Sequence, residues 1–194
     1  GNIPFSQYAK ADFDFSYTHL VDKKNSMVYH IGLGVGVPYL NSTILPFEKR
    51  YYGGGANSVR GWSARSLGPG SYNAGTTIDY MKQSGDIKLD LNLEYRTKLV
   101  WLLELAAFID AGNIWTLKDE GQAGGQFTFD KFYEQIALGY GIGIRLNFDY
   151  FVLRLDWGIK AFDPSRGDGE HWRFVPGWNI LKDTALHFAV GYPF

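Results

Sequence analysis

One arginine in this sequence is placed to make a specific electrostatic contact. Arg60 lies in the stretch Arg50-Tyr51-Tyr52-Gly53-Gly54-Gly55-Ala56-Asn57-Ser58-Val59-Arg60-Gly61-Trp62. That stretch belongs to a connection of roughly forty residues between two alternating apolar runs, far longer than connections within compact domains usually are. The successive glycines let the backbone turn where a Cβ would clash. The guanidinium offers a planar, five-donor fork that stays charged at any physiological pH. Such a group calls for a carboxylate, and the downstream runs set Glu94, Asp110 and Asp156 on their polar sides. The competing readings are a solvated Arg60, or carboxylates that pair instead with Arg96, Arg145 or Arg154.

Other chemistry finds little footing. His19, His30, His171 and His187 have no metal-ligand spacing. Cysteine is absent, which excludes a disulfide framework, a thiolate metal site and a thiol nucleophile within the chain. No Gly-x-Ser-x-Gly elbow occurs, and the glycines around Gly34 sit in a strand pattern with no helix behind them to hold phosphate. The sequence is therefore read as non-enzymatic, with no catalytic residue, cofactor or metal expected.

The elements that must position Arg60 and its receivers are strands. Seven segments alternate with period two. Ala11, Phe13, Phe15 and Tyr17 oppose Asp12, Asp14, Ser16 and Thr18, and Tyr29 to Val37 oppose His30, Gly32, Gly34 and Gly36. Ile87 to Tyr95 oppose Lys88, Asp90, Asn92, Glu94 and Arg96; Leu103 to Ala111 oppose Glu104, Ala106, Phe108, Asp110 and Gly112. Leu138 to Phe148 oppose Gly139, Gly141, Gly143, Arg145 and Asn147; Phe151 to Ile159 oppose Val152, Arg154, Asp156, Gly158 and Lys160. Leu186, Phe188, Val190, Tyr192 and Phe194 oppose His187, Ala189, Gly191 and Pro193.

Apolar faces about ten residues long match a tilted crossing of hydrocarbon, with the charged faces turned to a lumen. The connections alternate short (Asp22 to Asn25), long (Leu40 to Ser84), short (Thr97 to Val100), long (Ile114 to Gln135), short (Asp149-Tyr150) and long (Phe162 to Asp183). That sorting is the layout of an outer-membrane barrel. Asp130 to Gln135 reads as a helical turn within the second long loop.

Composition agrees. The 194 residues include 24 Gly, 14 Phe, 13 Tyr and 6 Trp but 2 Met, a balance suited to strands and membrane interfaces. No run of 18 apolar residues offers a transmembrane helix. A formal net charge of −1 gives no bulk attraction to nucleic acid. Gly1 opens the chain without a charged-then-apolar leader, read as a mature or truncated start. Seven strands cannot close with every edge paired. Either further N-terminal strands lie outside this chain, the preferred reading, or Asn2 to Gln7 adds a poor eighth.

Val59-Arg60-Gly61-Trp62 in the longest loop, Phe108-Ile109-Asp110-Ala111-Gly112 ending the second strand after it, and a terminal aromatic closing an alternating strand together resemble the BamA/TamA superfamily. That superfamily includes outer-membrane assembly proteins and FhaC-type two-partner secretion transporters. The Tyr52-Gly53-Gly54-Gly55 lead-in resembles TamA-type members from the Bacteroidota. The resemblance spans essentially residues 1–194 and implies an all-β fold, the C-terminal seven strands of a sixteen-stranded transmembrane antiparallel barrel. It implies a loop over about residues 40–84 folded into the lumen and locked there by Arg60 and Gly61, with Glu94 and Asp110 on the inner wall receiving the arginine. It implies a terminal assembly signal in which Phe188, Gly191 and Phe194 belong to a seam that opens sideways toward lipid, with Gly191 where the strand bends inward.

The implied job is insertion of client outer-membrane proteins in the bacterial outer membrane. Lipid, the client proteins and upstream periplasmic POTRA-type domains are the expected partners, without nucleic acid. A two-partner-type polypeptide secretion transporter and a porin-like channel or surface antigen are the alternatives.

Overall fold

The computed structural model describes residues 5–75, 81–148, 150–167, 169–173 and 180–194. The strands are β1 (Tyr8–Leu20), β2 (Asn25–Pro38), β3 (Ile87–Val100), β4 (Leu103–Trp115), β5 (Ala137–Asn147), β6 (Val152–Phe162) and β7 (Thr184–Val190). They form one antiparallel sheet in chain order, each strand beside the next. A 3-10 turn at Phe132–Gln135 falls where the sequence places a helical turn. Of the Asn2 to Gln7 stretch, residues 5–7 carry no strand and Asn2 lies outside the described residues, as does Asp149.

Burial is inverted relative to a water-soluble sheet. Leu93 and Ile144 are 36% and 47% exposed, while their neighbours Glu94 and Arg145 are 0% exposed. Leu91, Leu105 and Leu155 share the exposed face, and Asp90 and Asp156 the buried one. Successive side chains in a strand point to opposite faces, so strict alternation gives the sheet one apolar and one charged side. The apolar side suits hydrocarbon, and the charged side encloses the long first loop.

Several boundaries differ from the sequence reading. β3 continues through Thr97 to Val100, so the second short turn is Trp101-Leu102; Lys98 still faces Glu104 across the ladder and Val100 faces Leu103 after a bulge. β4 likewise runs past Gly112 to Trp115, because Ile87 and Lys88 continue the ladder opposite Trp115 and Ile114. At the C-terminus the alternation stops. Tyr192 and Phe194 share parity with the lipid-facing residues, yet both turn inward. Gly191 adopts φ +90°, a conformation other residues rarely take, and the chain after it leaves the strand and turns inward. The Tyr192 hydroxyl then accepts from Asn147 Nδ2 at 2.9 Å, its ring lies 4.4 Å from the Arg96 guanidinium, and Phe194 stacks on His30 at 4.4 Å.

β7 has 7 residues against 13 in β1. Among the described residues, the outer edges of β1 and β7 have no strand partner.

Leu93→Arg is expected to destabilise the membrane-embedded barrel by about 2–4 kcal/mol, since a cation would face mid-membrane lipid. Leu93→Phe at the same site is expected to cost far less. Urea titration of the full-length protein in lipid vesicles measures both, and equal losses would remove the lipid-facing assignment.

Candidate functional site: the loop arginine and the inner wall

The first long loop is shaped before it reaches the wall. Tyr51 and Gly85 exchange backbone hydrogen bonds at 2.8 and 2.9 Å, and Gly53 bridges to Leu67. The Gly55 amide donates to the Trp62 carbonyl at 2.9 Å, closing a turn that presents residues 56–61. Gly54 and Gly55 enter it at φ +82° and +100°, which answers the run of glycines. Val59, Trp62 and Leu67 pack with Ala137 of β5 into a small apolar cluster. This cluster anchors the turn so that Arg60 points into the charged face.

Asp110 receives Arg60 through a fork. Nε donates to Oδ2 and Nη2 to Oδ1, both at 2.8 Å, and the Arg60 backbone amide adds a bond to Oδ2 at 3.0 Å. Asn92 Nδ2 donates to the same Oδ1 at 2.8 Å, so both carboxylate oxygens are shared between two donors. Arg60 Nη1 donates to Glu94 Oε2. A planar guanidinium in bidentate contact with a carboxylate is among the stronger protein hydrogen-bond arrangements. The pairing is water-poor, since Arg60, Glu94 and Asp110 are all 0% exposed.

The three arginines offered as competing partners join the cluster instead of displacing Arg60. Arg145 bridges Glu94 at 2.9 Å and Asp156 at 2.8 Å, Arg154 reaches Asp156 at 2.9 Å, and Arg96 reaches Glu94 at 2.6 Å. Asp156 lies 3.8 Å from Arg60, a secondary partner. Four guanidiniums thus share three carboxylates, and each carboxylate is held from more than one side. Burial works against the Arg60 charge, yet the Asp110 and Glu94 carboxylates outweigh it and raise its pKa above the usual arginine range.

Several contacts were not legible in the residue pattern. Phe108, two residues before Asp110 on the same face, lies with its ring 3.5 Å from the Arg60 guanidinium carbon. A cation on an aromatic face is favoured most where water is excluded. Arg154 also holds the loop backbone, donating to the Ala56 carbonyl at 2.8 Å and to Asn57 Oδ1. His187 of β7 contacts the Arg60 carbonyl at 2.9 Å. A Cβ at Gly158 would overlap that carbonyl oxygen, so the loop seats directly on bare β6 backbone.

A second clamp lies further out. Arg50 donates to Ser84 Oγ at 3.0 Å and to Glu120, with Asp86 at 3.7 Å. Burial pushes the Asp86 carboxyl up, against the Leu117 amide and the Arg50 guanidinium.

Of the proposed seam residues, Phe188 is exposed on the lipid side of β7, Gly191 makes the inward turn, and Phe194 lies inside, its ring 5.5 Å from the Arg60 guanidinium. Gly61 follows Arg60 against the backbone of Ile159. Among the described residues no group of three or more His, Cys, Asp or Glu side chains is arranged to hold a metal ion.

Comparison with known proteins meets this geometry at the level of the whole chain. The model of the Omp85 superfamily domain matches residues 4–193. The chain belongs to the Omp85 superfamily. With that membership goes a place in the bacterial outer membrane. Among curated proteins, this Omp85 chain is similar to outer membrane protein assembly factor BamA of Neisseria meningitidis serogroup B, at 29% identity over 115 residues. That match covers 56% of the chain and 14% of the relative. In fold it resembles BamA from Haemophilus ducreyi lacking POTRA domains 1-3, with a TM-score of 0.66 and 15% identity over 95% of this chain and 35% of that one. It also resembles CdiB from Acinetobacter baumannii, with a TM-score of 0.55 and 18% identity over 96% of this chain and 27% of that one. The Omp85 chain thus spans about a third or less of the proteins it resembles.

Gly158→Val tests the seat of the Omp85 loop. The added side chain meets the Arg60 carbonyl, so the loop is expected to lift and its protease cleavage to accelerate, while overpacking costs about 1–3 kcal/mol. Phe108→Leu keeps an apolar side chain but removes the ring, and is expected to loosen the loop less. Unchanged cleavage in Gly158→Val would show that the loop does not rest on β6.

Proposed function

We propose that this chain is the C-terminal part of the barrel of an outer-membrane assembly factor, which inserts client barrel proteins through a seam bordered by β7. The supporting observation is Arg60, held by Asp110 and Glu94 in a water-poor lumen while its carbonyl meets His187 of the edge strand. Residues 40–84 then act as an internal loop locked to the wall. Phe188, Gly191 and Phe194 mark the strand that parts from its neighbour. An incoming client strand adds to the exposed backbone edge by ordinary ladder pairing, which needs no nucleotide, metal or catalytic residue. Upstream POTRA-type domains deliver the client, and outer-membrane lipid receives it. The Tyr52-Gly53-Gly54-Gly55 lead-in supports a TamA-like assignment within the family.

The fold likeness to CdiB supports a second reading, a two-partner-type transporter that passes an extended polypeptide through the lumen. The two diverge in what must move. Insertion needs the β7 edge to open, whereas translocation needs the loop to leave the lumen.

Breaking one partner out of a buried ion pair costs roughly 3–5 kcal/mol, against roughly 0–1 kcal/mol for a solvated surface pair. Arg60→Ala in the full-length protein is therefore expected to free the loop and impair client insertion. Arg60→Lys is expected to restore part of it, because the charge returns without the fork. Asp110→Ala is expected to match Arg60→Ala, with the double variant little worse than either. Strictly additive losses in client insertion would refute the lock. A disulfide introduced across the β7 edge that leaves client handling intact would refute lateral insertion and favour translocation.

A further inference from the structure

Both carboxylates that receive Arg60 are linked, on their far side, to a basic side chain that carries an aromatic ring of the segment after β7. On the Glu94 side the basic group is Arg96, 2.6 Å from the carboxylate and 4.4 Å from the Tyr192 ring. On the Asp110 side it is His30 of β2, reached through Asn92. The Phe194 ring stacks on the His30 imidazole at 4.4 Å, the two planes 9° apart.

The protons on that imidazole follow from its neighbours. Asn92 Nδ2 donates to the Ser58 carbonyl and to Asp110 Oδ1, both at 2.8 Å, which orients the amide with its oxygen toward His30. His30 Nδ1 lies 2.8 Å from that oxygen, which can only accept, so Nδ1 carries a hydrogen. His30 Nε2 lies 3.1 Å from Asp14 Oδ2, and an ionised carboxylate likewise only accepts. The arrangement is complete only with both ring nitrogens protonated. The other charges around the ring are engaged elsewhere. Asp12 of β1 accepts from the loop's Tyr51 hydroxyl at 2.6 Å, and Asp90 of β3 is held by Lys88 at 2.6 Å and by Ser58 Oγ at 2.7 Å.

We propose that His30, as an imidazolium, is a positioning residue that fastens the segment after β7 to the Arg60 lock. This coupling presupposes that residues 40–84 are held as the internal lock proposed above. One edge of the ring holds Asn92, which keeps Asp110 Oδ1 in place for Arg60. The face of the ring holds Phe194, because a cation is attracted to an aromatic face most strongly where water is scarce. Departure of Phe194 at the seam therefore reaches the loop, and loosening of the loop reaches the seam. Loss of one imidazole proton removes the Asp14 bond and the charge against Phe194. The fastening is thus present on the acid side of the histidine titration, with Asp14 ionised, and is lost as pH rises through it. Arg96 stays charged throughout, so the Tyr192 contact does not share this dependence.

The test uses the full-length protein in lipid vesicles, with isotopically labelled histidine and fluorophenylalanine at position 194. The His30 nitrogen resonances are assigned by their absence in His30→Phe. Between about pH 5 and 8, where imidazoles exchange their proton, the fluorine resonance is expected to move with the same midpoint as those nitrogens. Asp14→Asn offers Nε2 a donor, so the ring is expected to carry one proton at a pH where the parent carries two, with the fluorine resonance in its released position. Added protease is expected to cleave the 40–84 loop about tenfold faster in His30→Phe, through loss of a charge-assisted bond, and little faster again when Phe194→Leu is combined with it. A ring holding one proton wherever the loop stays closed would overturn the proposal. So would a fluorine resonance indifferent to the His30 titration, or additive effects of His30→Phe and Phe194→Leu. Arg60→Ala separates the two readings. Unchanged cleavage there removes the lock itself, whereas fast cleavage there with parent-like cleavage in His30→Phe removes the His30 coupling alone.

Discussion

The arrangement depends on charges held where water is scarce. Moving a guanidinium out of water is costly, and only carboxylates in good geometry offset the loss. Arg60 meets that condition through Asp110 and Glu94, and the same carboxylates are steadied by Asn92, Arg96 and Arg145. Each member is thus poorly replaceable by a single neighbour. The cluster ties four strands and a loop together at one height of the lumen, from β3 through β6.

That dependence explains why the inner face mixes charge with bare backbone. Long side chains on every inner position would leave no room for the loop turn. β6 alternates Arg154 and Asp156 with Gly158, placing the ionic partners beside the open seat that the loop carbonyl occupies. The outer face needs no such variety, because hydrocarbon asks only for apolar cover. The two sides of one strand therefore answer two solvents with a single period-two pattern.

This pattern is why the strands were readable in the sequence. Alternation is local, and a run such as Ile87 to Arg96 carries its two faces in its own order. Arg60, Glu94 and Asp110 were nameable as a group through charge, parity and resemblance. Phe108 beneath the guanidinium and Arg154 on the Ala56 carbonyl were not, since each joins residues distant in sequence at angles that no periodicity encodes. The inward turn of Tyr192 and Phe194 was hidden because their parity continues the lipid-facing series, and the chain leaves that series at Gly191. The turn at Trp101-Leu102 was misplaced because a tryptophan does not look like a turn residue.

The ionic cluster also bears on what the barrel leaks. Arg60, Arg145, Glu94, Asp110 and Asp156 have no measurable contact with solvent, so this wall offers no continuous film of water at that height. A small ion crossing along it would have to separate charges already matched at hydrogen-bond distance, and would meet repulsion from one sign or the other. The inner face of β3 to β6 is therefore dry without being apolar, its charges answered by one another instead of by water.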